Sequence, residues 1–179
     1  MSSLRLFIAI WVPDEVLREA ELIRMALTEF GVKAKFVSKE NQHITLLFFG
    51  ETPKSKLNEL KSALAKVKQK SFTAVLSRLG VFPNWQYIRV IWLGFQAYGF
   101  SELHNAICRE LGLTPLTNFT AHLTIARVKA ILNKQITVKK IQQIKPANIS
   151  FQVTKFSLVS SELTPEGPKY KVLQDYPLL

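Results

Sequence analysis

The chain has 179 residues, 47% of them hydrophobic, with 24 Lys plus Arg against 13 Asp plus Glu and a net charge of +11. Such length and apolar content fit one domain, or two small fused lobes, and exclude a disordered polymer. One cysteine, Cys108, excludes an internal disulfide framework and a cysteine metal cluster, and no apolar run approaches the roughly 20 residues of a membrane-spanning helix, so a cytoplasmic protein is expected.

Leu4 to Trp11 reads as a buried strand rather than a signal peptide, since it lacks a basic leader and a small-residue cleavage site. Residues 14–30 carry apolar side chains at three- and four-residue steps (Val16, Leu17, Ala20, Ile23, Leu27, Phe30), which predicts a helix. Asp14 and Glu15 suit its first turn and Gly31 its stop. Ala34 to Val37 and Gln42 to Phe49 are strand-like, and Pro53 is expected to open a second helix running to about Lys70. Phe72 to Val81 and Gln86 to Phe95 suggest a hairpin around Phe82-Pro83-Asn84-Trp85. Ser101 is a suitable N-cap for a helix over 102–111, closed by Gly112. Phe119 to Val128 is a strand, 133–144 an ambiguous polar helix, and Ile149 to Leu163 with Tyr170 to Tyr176 a closing hairpin. Helices alternating with groups of strands favour an α+β fold with antiparallel sheets.

The tetrapeptide His43-Ile44-Thr45-Leu46 recurs as His122-Leu123-Thr124-Ile125, so two of the three histidines lie in matching settings. On a strand, positions i and i+2 share a face. Each copy therefore presents an imidazole beside a hydroxyl and turns its aliphatic residues the other way. A lone histidine on a strand is most simply a hydrogen-bonded core residue; His104, on the third predicted helix and without a partner motif, is expected to be structural or on the surface. Two copies of His-x-Thr point instead to acid–base chemistry, one imidazole accepting a proton and the other donating one. Phosphoester cleavage needs such a pair on opposite sides of phosphorus, because attacking and leaving oxygens are roughly in line. Thr45 and Thr124 are the expected donors to the phosphate oxygens.

Two histidines fall short of the three protein ligands usual for zinc, so no metal is expected. The seven glycines form neither GxGxxG nor GxxxxGK[ST], which argues against a nucleotide-hydrolysing or dinucleotide-binding machine. The positive charge suits a polyanion such as RNA, a lysine-rich solvated surface being the alternative. Phe48 and Arg127 each follow a motif histidine by five residues, and a ring facing a guanidinium is a candidate clamp for a nucleobase; Arg127 suits a phosphate equally. Core packing for Phe48 and a surface ion pair for Arg127 are the alternatives. Arg89 either lines the cleft or points outward from an edge of the sheet, the outward reading being favoured; Lys39 and Lys129 flank the motifs and either add general attraction for phosphate or are simply solvated.

These motifs resemble those of the 2H phosphoesterases, and most closely the RNA 2′,3′-cyclic phosphodiesterases, historically called 2′-5′ RNA ligases. The resemblance extends over Arg5-Leu6-Phe7-Ile8-Ala9-Ile10, Phe48-Phe49-Gly50, Arg89-Val90-Ile91-Trp92-Leu93-Gly94, Ala126-Arg127 and Tyr170-Lys171-Val172-Leu173. It departs at Ala121, where the family often has proline, and at Trp11-Val12-Pro13, where it often has an acidic residue. The resemblance implies a bilobal fold: two antiparallel sheets related by a pseudo-twofold axis, helices outside and the cleft between, each lobe of the single domain 1–179 supplying one motif. It implies metal-free hydrolysis of RNA 2′,3′-cyclic phosphate ends, tRNA fragments among them, to 2′-phosphomonoesters, with His122 as base and His43 as acid. Reversible 2′-5′ ligation, or an RNA-terminus binding module without turnover, are the rival functions. No cofactor or protein partner is expected, and the chain is expected to be a monomer.

Overall fold

The computed structural model describes residues 2–179. Nine strands and four helices follow in the order β1 (Ser3–Trp11), α1 (Asp14–Glu29), β2 (Val32–Phe36), β3 (His43–Pro53), α2 (Leu57–Leu64), β4 (Phe72–Asn84), β5 (Tyr87–Gln96), α3 (Tyr98–Glu110), β6 (His122–Ile131), α4 (Lys134–Gln143), β7 (Ser150–Val153), β8 (Lys155–Thr164) and β9 (Gly167–Pro177). The class is α+β, as the alternation predicted.

Periodicity placed α1 correctly: Val16, Ala20, Ile23 and Leu27 are buried along one stripe. The chain leaves it through Gly31 at φ +90°, a backbone shape that a side chain would strain. Two other helices differ from expectation. Pro53 ends β3 rather than opening a helix, and α2 stops at Leu64. Beyond it come Lys66, Lys68 and Lys70, and a continued helix would set Lys66 and Lys70 one turn apart as like charges. The third helix begins four residues early, at Tyr98, with extended Ala97 as its cap. Gly99 and Phe100 are buried in its first turn, because the Phe72 ring occupies the space above Gly99; a Cβ there would lie 2.3 Å from that ring. Ser101 is therefore an exposed helical residue and not the cap. The stretch 149–163 splits at Thr154 into β7, which pairs with β4, and β8, which pairs with β1.

All pairings are antiparallel. The strand order is β7-β4-β5-β6-β3-β1-β8-β9, with β2 against β6. The expected two sheets are present as two halves, β9-β8-β1-β3 and β6-β5-β4-β7, which meet through one residue pair, Ile44 opposite Leu123. Strand β2 leaves the first half to pair with β6 of the second. The main core lies on the helix side, where Ile44 and Leu123 are both fully buried. A smaller apolar cluster of Phe7, Ala9 and Val159, with Trp11 and Tyr170, forms on the opposite face. Among the described residues no helix is long and apolar enough to cross a membrane.

Candidate active site

The pair that joins the halves also sets the site. One step in either direction along an antiparallel ladder places His43 across from Thr124 and Thr45 across from His122. Ile44 and Leu123 plug the core beneath, and the four polar side chains surround the crossing point on the open face, in a cleft of about 350 Å³. The duplicated motifs thus interlock diagonally about an approximate twofold axis.

Each imidazole is held in the same way. His43 Nδ1 lies 2.8 Å from the carbonyl of Asn41, and His122 Nδ1 lies 2.8 Å from the carbonyl of Thr120. A carbonyl only accepts, so both Nδ1 atoms carry the proton and both Nε2 lone pairs are left for the cleft. Aromatic rings back each one. His43 contacts Phe7 at 4.9 Å and Trp11 at 5.6 Å. His122 contacts Phe82 at 5.1 Å and Trp92 at 5.8 Å. Trp92 lies flat across its sheet only because Gly80 and Gly94 leave room: a Cβ on Gly80 would stand 2.3 Å from the indole.

Burial pushes both imidazoles below the usual histidine range, opposed by the carbonyl hydrogen bonds. His122 adds repulsion at His43, and Arg127 lowers both further. Two protonated imidazoles are therefore disfavoured together, and an arriving anion favours returning a proton to one of them. The arrangement suits one acid and one base.

Phe48 and Arg127 both line the cleft, which strict alternation forbids, since positions five apart point to opposite faces. A bulge resolves this in each strand. In β3, Thr45 pairs with Ala9 and Leu47 with Ile8, so Leu46 is skipped. In β6, Thr124 pairs with Trp92 and Ala126 with Ile91, so Ile125 is skipped. Each extra residue reverses the alternation and turns the residue two positions later toward the cleft. Both skipped residues find partners for their carbonyls outside the ladder. Ile125 O accepts from the Val37 N–H at 2.8 Å, just beyond β2. No strand stands in the matching place beside Leu46 among the described residues, and there Leu46 O accepts from His104 Nδ1 at 2.9 Å. His104 is buried, stacks on Phe119 at 4.5 Å and accepts from the Leu116 N–H at 3.1 Å. Of the two readings, structural or surface, burial selects the structural one, and the task of His104 is to hold the bulge that aims Phe48.

Phe48 is 52% exposed, which excludes the core alternative. The guanidinium over its ring, at 5.0 Å, is that of Arg5. Arg5, Phe7 and Tyr170 were not singled out as site residues, yet all line the cleft. Tyr170 meets His43 edge-on at 5.3 Å. Burial raises its phenol, while Arg127 and Arg5 pull it back down. For Arg5 and Phe7 the signal was only a weak alternation in β1, where they share a face with Ala9 and Trp11 opposite core-facing Leu6, Ile8 and Ile10. Arg89 is exposed, as expected, and donates to the Tyr87 hydroxyl. Lys39 forms an exposed ion pair with Asp14 at 3.0 Å and does not line the cleft. No group of three or more His, Cys, Asp or Glu side chains among the described residues is placed to hold a metal ion.

The sequence matches the LigT-like phosphoesterase family model over residues 10–92 and 96–170. It is 34% identical to a protein of Methanocaldococcus jannaschii named RNA 2′,3′-cyclic phosphodiesterase, over 97% of this chain and all of that one. The fold is similar to a crystal structure from Thermus thermophilus, that of the protein TT0787, with a TM-score of 0.79, 28% identity and 97% of each chain covered. It is also similar to Escherichia coli LigT complexed with phosphate, with a TM-score of 0.78, 26% identity and 99% of each chain covered.

Proposed function

The chain belongs to the LigT-like phosphoesterase family, and on that premise we propose that it hydrolyses 2′,3′-cyclic phosphate ends of RNA to 2′-phosphomonoesters. The single observation that carries the reading is the matched pair of imidazoles, each fixed through Nδ1 with Nε2 left for the cleft. The relatives' name supplies the substrate class. In this mechanism His122 Nε2 takes a proton from water as the oxygen attacks phosphorus. The bond from phosphorus to O3′ breaks, and His43 Nε2 delivers a proton to the departing oxygen. Thr45 and Thr124 donate to the non-bridging oxygens, where charge builds. Arg127 adds a cation, and Phe48 with Arg5 offers a flat surface to the terminal base. The reaction needs no metal, because the side chains supply base, acid and anion stabilisation. The substrate is the partner: the chain acts as a cytoplasmic monomer, one domain of two lobes.

The test is a short RNA ending in a 2′,3′-cyclic phosphate, with chelator present and the product phosphate located. A 2′-phosphate is expected, and His43→Ala or His122→Ala should each cost ~10²–10⁴-fold in rate. A 3′-phosphate would contradict the roles assigned. Tight binding without turnover would make the chain an RNA-terminus binding module instead.

A further inference from the structure

Beyond the cleft, one rim differs from the other. The three strands β2, β5 and β6 contain no Asp or Glu. The opposite rim, β8 and β9, mixes Lys155, Lys169 and Lys171 with Glu162 and Asp175. After the bulge at Ile125, Arg127 and Lys129 stand on the cleft face of β6 and are exposed. Residues directly opposite in a ladder share a face, so Lys35 of β2, opposite Arg127, lies there too. Beyond Arg127, β5 and β6 part, and the depression between them is lined by Tyr87, Arg89, Arg127 and Lys129. Arg127 lines this depression and the cleft alike. At its far end Tyr87 is 55% exposed. Arg89 Nη2 donates to the Tyr87 hydroxyl at 2.7 Å and its guanidinium lies 4.8 Å from the ring centre. A cationic track leading away from a phosphate site, with an exposed ring beside a guanidinium, is the arrangement that single-stranded nucleic acid binds by backbone attraction and base stacking.

We propose that this face, from Arg127 through Lys129 to the Tyr87–Arg89 pair, carries the RNA chain that leads to the cyclic end, so that oligoribonucleotides are better substrates than cyclic mononucleotides. The proposal rests on the RNA-end reading above and extends it to nucleotides upstream of the reacting one. From His122 to Lys129 the strand runs about 20 Å, room for several nucleotides. The mixed charge of the other rim offers no comparable attraction.

The experiment compares a 2′,3′-cyclic mononucleotide with an oligoribonucleotide of about eight nucleotides ending in the same group, in wild type and in the triple variant Tyr87→Ala, Arg89→Ala, Lys129→Ala. Turnover and binding of the labelled oligonucleotide are both read. The wild type should favour the oligonucleotide by about tenfold or more in kcat/KM. The variant should lose that advantage through KM, with the mononucleotide unaffected. The slope of log affinity against log salt should fall by about 0.7 for each cation removed. Lys129→Glu alone should shift the same parameters in the same direction. Equal treatment of both substrates by the wild type, or an oligonucleotide KM unchanged in the variants, would overturn the proposal. Loss of binding in the variants, with no turnover by the wild type, would refute cyclic-end hydrolysis and leave the RNA surface supported.

Discussion

Replacing His104 with Phe tests how the fold aims the cleft. The ring keeps its shape and its stack on Phe119. The Leu46 carbonyl loses its donor at 2.9 Å and the Leu116 N–H its acceptor at 3.1 Å. Leu46 is 2% exposed, so its carbonyl is left without water. A buried group orphaned in this way costs about 1–3 kcal/mol, whereas Leu116 is exposed and its amide loses less. The expected loss is about 2–4 kcal/mol, a large share of the ~5–15 kcal/mol that holds a typical domain. Denaturant unfolding measures it. Because the lost bond holds the bulge before Phe48, KM for cyclic-phosphate RNA should rise at temperatures where the variant remains folded. The pH–rate profile should keep its shape, since His104 does not exchange protons with substrate. A variant as stable as wild type, or one that loses a limb of the profile, would refute this account.

Leu123→Ala should cost ~3–5 kcal/mol by cavity formation and lower kcat as well, because Leu123 forms the only pairing between β3 and β6; Leu27→Ala, equally buried in α1, should match the stability loss and spare kcat in folded protein. Equal kcat in the two variants would contradict a site set by that crossing. Gly80→Ala should destabilise by about 1–3 kcal/mol and slow turnover, because the new methyl displaces Trp92 from behind His122; unchanged kinetics would show that the indole does not position the imidazole. Both site imidazoles titrate lower folded than unfolded, so the unfolded chain binds more protons and stability falls as pH drops below about 6.5. An inorganic phosphate ion in the cleft raises both, so calorimetry in buffers of different ionisation enthalpy should show proton uptake on binding; proton release would contradict the placement.

The motif strands, the helix stripe of α1 and the outward face of each His-x-Thr were legible because they follow local periodicity. The five-residue offset of Phe48 and Arg127 was legible as a count, but not as a shared face. That depends on bulges at Leu46 and Ile125, whose cause is non-local: the Val37 amide for one and His104, 58 positions away, for the other. Strand β1 concealed Arg5 and Phe7 as site residues because apolar side chains fill both of its faces, which blurs alternation. The crossing of β2 to the second half left no local trace, since its residues read equally well as a strand in either sheet. The ends of α2 and α3 are not marked by a helical stripe: α2 stops at Leu64, ahead of Lys66 and Lys70, and α3 opens at Tyr98, with the Phe72 ring packed over Gly99.

The central claim is a two-histidine acid–base pair in which His122 is the base and His43 the acid. Its most direct test is the pH dependence of kcat/KM for a short cyclic-phosphate RNA in wild type, His43→Ala and His122→Ala. Wild type should give a bell, falling at low pH as the base is protonated and at high pH as the acid is lost. His43→Ala should flatten the high-pH limb alone, and His122→Ala the low-pH limb alone. A bell that survives intact in either variant would contradict the pairing of these histidines with acid and base.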